Sequence, residues 1–287
     1  MISTAEFEEA RPMLLAVAYR MVGSAHDAED AVQTAWLRAQ SSYGAAVANP
    51  AAWLTTVVSR VCLDQLRDRQ RRNTLTRNVN RDVDTVAAAD EDMLRREDVS
   101  RALLVLLNGL TPAQRVAFVL HDLFAIPFDD IAEVLGTSPS AAKKHASRAR
   151  ARIRPGPPDR LPDIEDAQHR TIVDAFLQAA RGGDLDRMIA LLAPDCVRRV
   201  DPALLPDGTP GTVTGSAAVA TETRSYLARI RVSTTLRVNG CVVDVIAPGG
   251  HPWAVIQVRT ADGLITEIMI RPVRHTDRFA ALPTEDR

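Results

Sequence analysis

FDDIAEVLGTSPSAAKKHASRARARIR, residues 128–154, is the stretch on which the reading of this chain turns. Phe128, Ile131, Ala132 and Leu135 recur at i, i+3, i+4 and i+7, one face of a short helix. Gly136 ends that helix, Ser138 caps the next, and Pro139 suits its first turn. In the second helix Ala142, Ala146, Ala149 and Ile153 form a narrow inner stripe. Lys143, Lys144, Arg148, Arg150, Arg152 and Arg154 occupy the remaining positions, and no acid occurs between 138 and 154. Alanines let such a helix pack closely while its opposite face, with Ser140, Lys143, Lys144 and Ser147, stands out. A helix that enters a DNA major groove needs that shape. Lysine and arginine neutralise phosphates or reach guanine edges, and serine can donate to either. A solvated basic face is the plainer reading, but it explains neither the glycine joint nor the cap.

Upstream, the chain reads as helical. Phe7, Ala10, Leu14, Val17 and Met21 share helical spacing, as do Ala28, Val32, Ala35 and Ala39, and then Leu54, Val57, Val58, Val61 and Leu66. SSYGAAVANP at 41–50 is a loop ending in Asn49-Pro50. Thr111-Pro112 marks a stop and restart after the apolar run 103–110, with threonine as N-cap. The polar stretch at about 73–90 lacks clean periodicity. Downstream, PGPPDRLP at 155–162 holds four prolines in eight positions and reads as a linker. The third part mixes types. Two amphipathic helices meet at Gly182-Gly183, and a further helix starts at Ser216 and carries Val219, Tyr226, Leu227 and Ile230. The runs TTLRV, CVVDVIA, WAVIQVRT and LITEIMIRPV follow as an antiparallel meander, with hairpin turns at Asn239-Gly240 and Asp262-Gly263. The fold class expected is multidomain: two all-α domains, then an α+β domain.

At 287 residues the chain is long enough for more than one domain, and 46% hydrophobic with 25% charged residues excludes wholesale disorder. No apolar run is long enough to span a bilayer, and the acidic N-terminus is no signal peptide. Three cysteines, Cys62, Cys196 and Cys241, give neither zinc spacing nor a disulfide framework, so a reducing cytoplasm is expected. The net charge of −1 decides nothing; its distribution does. One basic cluster comprises Arg60, Arg67, Arg69, Arg71 and Arg72, offset by Asp64 and Asp68. An acidic cluster, Asp27, Glu29 and Asp30, precedes Val32, Gln33 and Trp36; it either suits a helix N-terminus or forms a docking patch.

Three blocks in this order resemble an extracytoplasmic-function (ECF) sigma factor: AYRMVGSAHDAEDAVQTAWLRA at 18–39, NPAAWLTTVVSRVCLDQLRDRQRR at 49–72, and LTPAQRVAFVLHDLFAIPFDDIAEVLGTSPSAAKKHASRARARI at 110–153. The resemblance implies region 2 over 1–72, a linker at 73–98 threading the RNA-exit path of the polymerase, and region 4 over 99–154. It places Asp27, Glu29, Asp30, Gln33 and Trp36 on core RNA polymerase. It places Tyr43, Asn49, Trp53, Arg60, Arg67, Arg71 and Arg72 at the −10 element of promoter DNA, with Trp53 leaning towards the core. Ser138, Ser140, Lys143, Lys144, Ser147, Arg148 and Arg150 then read the −35 duplex. Many family members carry Val and Leu where this chain has Ala142 and Ala146. The run AAKKHASRARAR instead resembles the ECF subset with a C-terminal SnoaL-like domain. AQHRTIVDAFLQAARGGDLDRMIALLAPDCV at 167–197 resembles the opening of such a cone, giving a Pro-rich linker at 155–163 and a regulatory domain over 164–287. The final strand departs from the best-known subgroup: IRPVRHTDRF at 270–279 stands where that subgroup carries an Asn-Pro-Asp motif.

Cones of this kind can house isomerases and hydrolases. Asp195, Asp201, Asp244 and His251 are available here, but Asp195 follows Pro194 in a loop and His251 sits in a hairpin tip, so no acid–base pair is placed. The expectation is a cytoplasmic alternative sigma factor, with no catalytic residue, cofactor, metal or membrane partner. Its C-terminal domain modulates it, chiefly by contact, with a small ligand in that domain as a further partner. The competing reading is a ligand-responsive helix-turn-helix regulator that does not dock on polymerase.

Overall fold

The computed structural model describes residues 2–41, 49–75, 83–97, 99–154, 164–206 and 208–282. It divides into two units, Met1–Arg154 with Gly249–His251, and Pro155–Pro248 with Pro252–Arg287.

The first unit is helical. Its helices α1 (Thr4–Val22), α2 (Ala25–Ser41) and α3 (Pro50–Leu75) pack on one another. Every apolar residue that the spacing assigned to their inner faces is buried. Ser3 and Glu6 form a reciprocal cap at the start of α1, and Gly23, at φ 70°, closes its end. Next comes α4 (Val83–Arg96), in a stretch whose sequence reads as polar and aperiodic. Periodicity does not reveal its docking: among its described side chains Met93 is buried, and so is Asp90. The Asp90 carboxylate accepts from the Ala25 amide at 2.7 Å, and its carbonyl accepts from the Tyr19 hydroxyl at 2.9 Å. An acid on α4 thus caps the first turn of α2 from outside that helix.

Helix α5 (Arg101–Asn108) leads to Thr111, whose side chain forms a capping box with Gln114 and opens α6 (Pro112–Phe118). A π-helical turn, Val119–Leu123, follows. Helices α7 (Phe128–Leu135) and α8 (Pro139–Ile153) complete the unit. Gly136 ends α7 at φ 64° with its amide on the Ala132 and Glu133 carbonyls, a left-handed position that glycine adopts without strain. Buried residues from Ile2 to Ala149 form one continuous apolar cluster. The two helical parts that the sequence separates by a polar stretch therefore share a core, with α3 packed on α7.

The second unit is α+β. Helices α9 (Ile164–Gly182), α10 (Leu185–Leu191), α11 (Ser216–Ser225) and α12 (Leu227–Arg231) accompany one seven-stranded sheet. Its strands are β1 (Leu192–Val200), β2 (Thr212–Thr214), β3 (Ser233–Val238), β4 (Cys241–Ile246), β5 (Ala254–Ala261), β6 (Leu264–Pro272) and β7 (Phe279–Ala280), in the order β2-β1-β6-β5-β4-β3-β7. The two hairpins lie where their turn residues put them: Asn239 and Asp262 both take φ 52°, followed by glycines at φ 88° and 78°. Phe176, Leu177, Met188, Ile256, Ile265 and Ile268 contribute to the core.

The expected antiparallel meander is present as β3-β4-β5-β6, and β1 joins it by pairing parallel with β6, so the whole sheet is mixed. Two expectations are corrected here. Asp195 lies in β1, not in a loop. The strand escapes notice because Pro194 interrupts its pattern; β1 and β6 shift register between Leu192 and Val197, where a proline is tolerated. The helix expected from Ser216 through Ile230 breaks at Tyr226 into α11 and α12.

Candidate nucleic-acid interface

The inner stripe of α8 is fully formed. Ala142, Ala146 and Ala149 are 0% exposed, so the helix lies directly on its neighbours α6 and α7. Ser140, Lys143, Lys144, Ser147 and Arg148 are exposed on the outer side. Two residues expected there are otherwise engaged. The Ser138 hydroxyl caps α8 by accepting from the Ala141 amide at 3.2 Å. Arg150 turns towards the body of the unit and pairs with Asp122 at 2.8 Å. The Lys143 ammonium stands 5.7 Å from the Phe128 ring centre, which leaves it tethered yet exposed.

On α3 the arginine cluster divides. Arg69 points inward, donating from Nη1 to the Val22 carbonyl at 2.7 Å and from Nη2 to Asp27. It ties the end of α1 and the start of α2 to α3. Arg67 and Arg71 lie near Asp64 and Asp68 of their own helix, and Arg72 is exposed. Arg60 reaches across to α7, donating to the Glu133 carbonyl at 3.1 Å and its carboxylate at 2.9 Å. Asn49 is exposed and caps α3, its Oδ1 accepting from the Ala52 amide at 3.1 Å. Trp53 packs against the core with part of its surface open. Tyr43 lies outside the described residues.

On α2, Glu29 and Gln33 are exposed one turn apart. Asp30 is exposed with His26 Nε2 at 3.4 Å. Trp36 is half-buried and stacks on Phe7, with ring centres 4.5 Å apart. Asp27 differs from the other acids because Arg69 holds it. Sequence reasoning missed Leu37 beside them, a large apolar side chain 61% exposed. Its signal was available: it lies two residues from both Ala35 and Ala39, off the buried stripe of α2.

Beneath these surfaces lies an arginine that no cluster announced. Arg115 is buried; it donates to the Arg20 carbonyl at 3.3 Å and to Asn108 Oδ1 at 2.9 Å. Burial, with the charge of Arg69, pushes its pKa down to about 9.

The acids and the histidine considered for catalysis do not converge. Asp195 is an exposed strand residue, and Asp201 caps a 3-10 turn through the Ala203 amide at 3.0 Å. Asp244 is buried on β4, accepts from the Thr235 hydroxyl at 3.0 Å, and has its pKa raised by burial. His251 belongs to the helical unit, where its Nε2 lies 3.1 Å from Asp90. Within the second unit, Phe176, Tyr226, Trp253 and Ile268 help line a cavity of about 660 Å³ including its open mouth.

A short helix, a left-handed glycine and a capped, one-signed second helix form a helix-turn-helix with its basic face exposed. Residues 7–72 match the Sigma-70 region 2 family model, and residues 100–153 match Sigma-70 region 4. The chain is 34% identical over 205 residues to the probable ECF RNA polymerase sigma factor SigI of Mycobacterium tuberculosis, covering 69% of each protein. It is 45% identical over 199 residues to the ECF RNA polymerase sigma factor SigJ of that species, covering 68% of this chain and 63% of SigJ, less than two thirds of that relative. The crystal structure of SigJ aligns with 94% of this chain and 96% of its own at 35% identity, with a TM-score of 0.44. The chain belongs to the ECF sigma factor family of RNA polymerase.

Proposed function

We propose that this protein is an alternative sigma factor that binds core RNA polymerase and directs it to promoters, and that its SnoaL-like unit modulates that activity. The observation that carries the reading is α8: three alanines fully buried on one side, and Ser140, Lys143, Lys144, Ser147 and Arg148 exposed on the other. Such a helix can seat in a major groove without rearranging its own packing. Glu29, Asp30, Gln33, Trp36 and Leu37 supply a mixed acidic and apolar surface for the polymerase. Asp27 acts by fixing α2 through Arg69. Arg67, Arg71 and Arg72 serve the −10 strand, and Arg60 joins them once released from Glu133. The protein works beside polymerase in the cytoplasm and carries out no chemistry of its own. The cavity in the second unit supports one further role, holding a small ligand.

The test is in vitro transcription with bacterial core polymerase and fragmented genomic DNA of the host, comparing the full chain with a chain ending at Arg154. Discrete new start sites sharing two spaced upstream elements are the expected result. Their absence with both proteins would defeat the sigma reading. Equal polymerase binding and equal output from the two proteins would defeat modulation by the second unit.

A further inference from the structure

The cavity of the second unit has a one-sided chemistry. Its wall is aliphatic and aromatic, with Trp253 and Tyr226 the largest rings. Two side chains of that wall are charged, Arg198 and Arg229, and no acid lines it among the described residues. Arg198 sits on β1 with its side chain 4% exposed. Its Nη2 donates to Glu222 at 2.6 Å, while its Nε has no hydrogen-bond partner in the described structure. A buried N–H of a charged group without an acceptor is costly, and native folds rarely keep one idle. Arg229 also lines the cavity, its guanidinium carbon 4.6 Å from the Trp253 ring centre and 5.7 Å from that of Tyr226. A cation–π contact of this kind does not use the guanidinium N–H groups, which can still donate to an oxygen acceptor. Glu222 pairs with Arg198, and among the described residues no carboxylate pairs with Arg229.

We infer that this cavity takes an apolar organic anion: a ring or medium-length chain carrying one carboxylate, its body against Trp253 and Ile268 and its oxygens on Arg229 and the Arg198 Nε. The inference rests on the reading that the cavity holds a small ligand. Apolar enclosure supplies affinity, and the two arginines select charge and fix orientation. A cation of the same shape meets like charge, and a neutral amide loses the charge-assisted bonds.

The test uses the full chain and three matched probe series: 1-naphthoate, 4-phenylbutyrate and decanoate, their primary amides, and the corresponding amines. Binding is followed by calorimetry and by tryptophan fluorescence, with Trp253→Phe identifying which of the three tryptophans responds. At least one carboxylate should bind tenfold or more tightly than its amide, and the amines should not bind. Arg229→Gln, at a half-exposed position whose loss the fold can absorb, should remove most of that tenfold preference. Arg198→Met with Glu222→Met removes the buried pair together and should do the same. If a carboxylate and its amide bind within twofold of each other, the cavity reading survives and the anion assignment falls. If none of the nine compounds binds, or binding leaves Trp253 silent, both fall.

Discussion

Arg69 and Arg72 are three residues apart in one basic run, yet the structure gives them opposite work, and exchanging each for methionine separates the two. Arg69 is 22% exposed and its partner Asp27 33%, so solvent screens the pair only in part. The substitution removes a charge-assisted bond to the Val22 carbonyl and leaves Asp27 without its cation. Hydrogen bonds to charged groups contribute about 1.5–3 kcal/mol, and the residual exposure argues for the lower half, about 2 kcal/mol. For a unit of this size each kcal/mol moves the melting midpoint by roughly 2–4 °C, so Arg69→Met should melt about 4–8 °C lower. Arg72→Met, at an exposed position, should melt within about 1 °C of the parent. Far-UV ellipticity on the full chain gives both midpoints. The second readout is the salt dependence of binding to single-stranded −10 DNA, measured with core polymerase. Arg72→Met should lower the slope of log K against log salt by about 0.7, one phosphate's worth on a single strand, and Arg69→Met should leave it unchanged. A thermally neutral Arg69→Met, or one that changes the slope as Arg72→Met does, would refute the division of the cluster.

Three other outcomes are expected. Lys143→Ala and Lys144→Ala should each lower the salt slope for duplex DNA by about 0.9; an unchanged slope would remove that residue from the phosphate-facing side. Asp244 has a pKa raised by burial, so between its unfolded and folded values the native state holds a proton that the unfolded chain has released. Its contribution to stability is therefore greatest below the unfolded value and is lost as pH rises through the folded one. Asp244→Asn keeps an acceptor for Thr235 and should flatten that fall, gaining on the parent as pH rises; parallel pH profiles in urea denaturation would contradict this. With a thiol reagent on the native protein, one of the three cysteines should react fast. Cys241 is exposed, whereas Cys62 and Cys196 are buried, with burial pushing their thiols up to about 12 and about 11. Two fast thiols would show that a buried one is accessible.

What was legible in the sequence was whatever a short-range rule controls. Thr111 and Ser138 announce helix starts, Gly136 a left-handed stop, and Asn239-Gly240 and Asp262-Gly263 two hairpins, because each rule acts within a few residues. The buried stripes of α1, α2, α3 and α8 were equally plain. Helix α4 was not, because a contact that seats it, the Asp90 carboxylate on the Ala25 amide, joins residues 65 apart in the chain. The parallel partner of β1 comes still later in the chain, and Pro194 disguises the strand itself. The candidate interface followed the same pattern. The basic face of α8 could be counted from spacing alone, but Arg150, Arg69 and Arg60 have the same letter as their exposed neighbours. Only their tertiary partners, Asp122, Asp27 and Glu133, set them apart.

The single sign of charge along α8 makes ionic strength act in two directions. Lys144, Arg148 and Arg152 follow one another at i, i+4 and i+8, and like charges at that spacing oppose a helix by about 0.2–0.5 kcal/mol per pair. The Ser138 cap and the buried alanines offset this repulsion, and added salt relaxes it further. With α8 on DNA as proposed, the same salt strips that affinity, since every phosphate contact releases counterions. A buffer chosen to keep the protein folded in storage is thus a poor one in which to look for promoter binding. A titration from high salt downward should show DNA affinity rising while the helical unit becomes easier to melt.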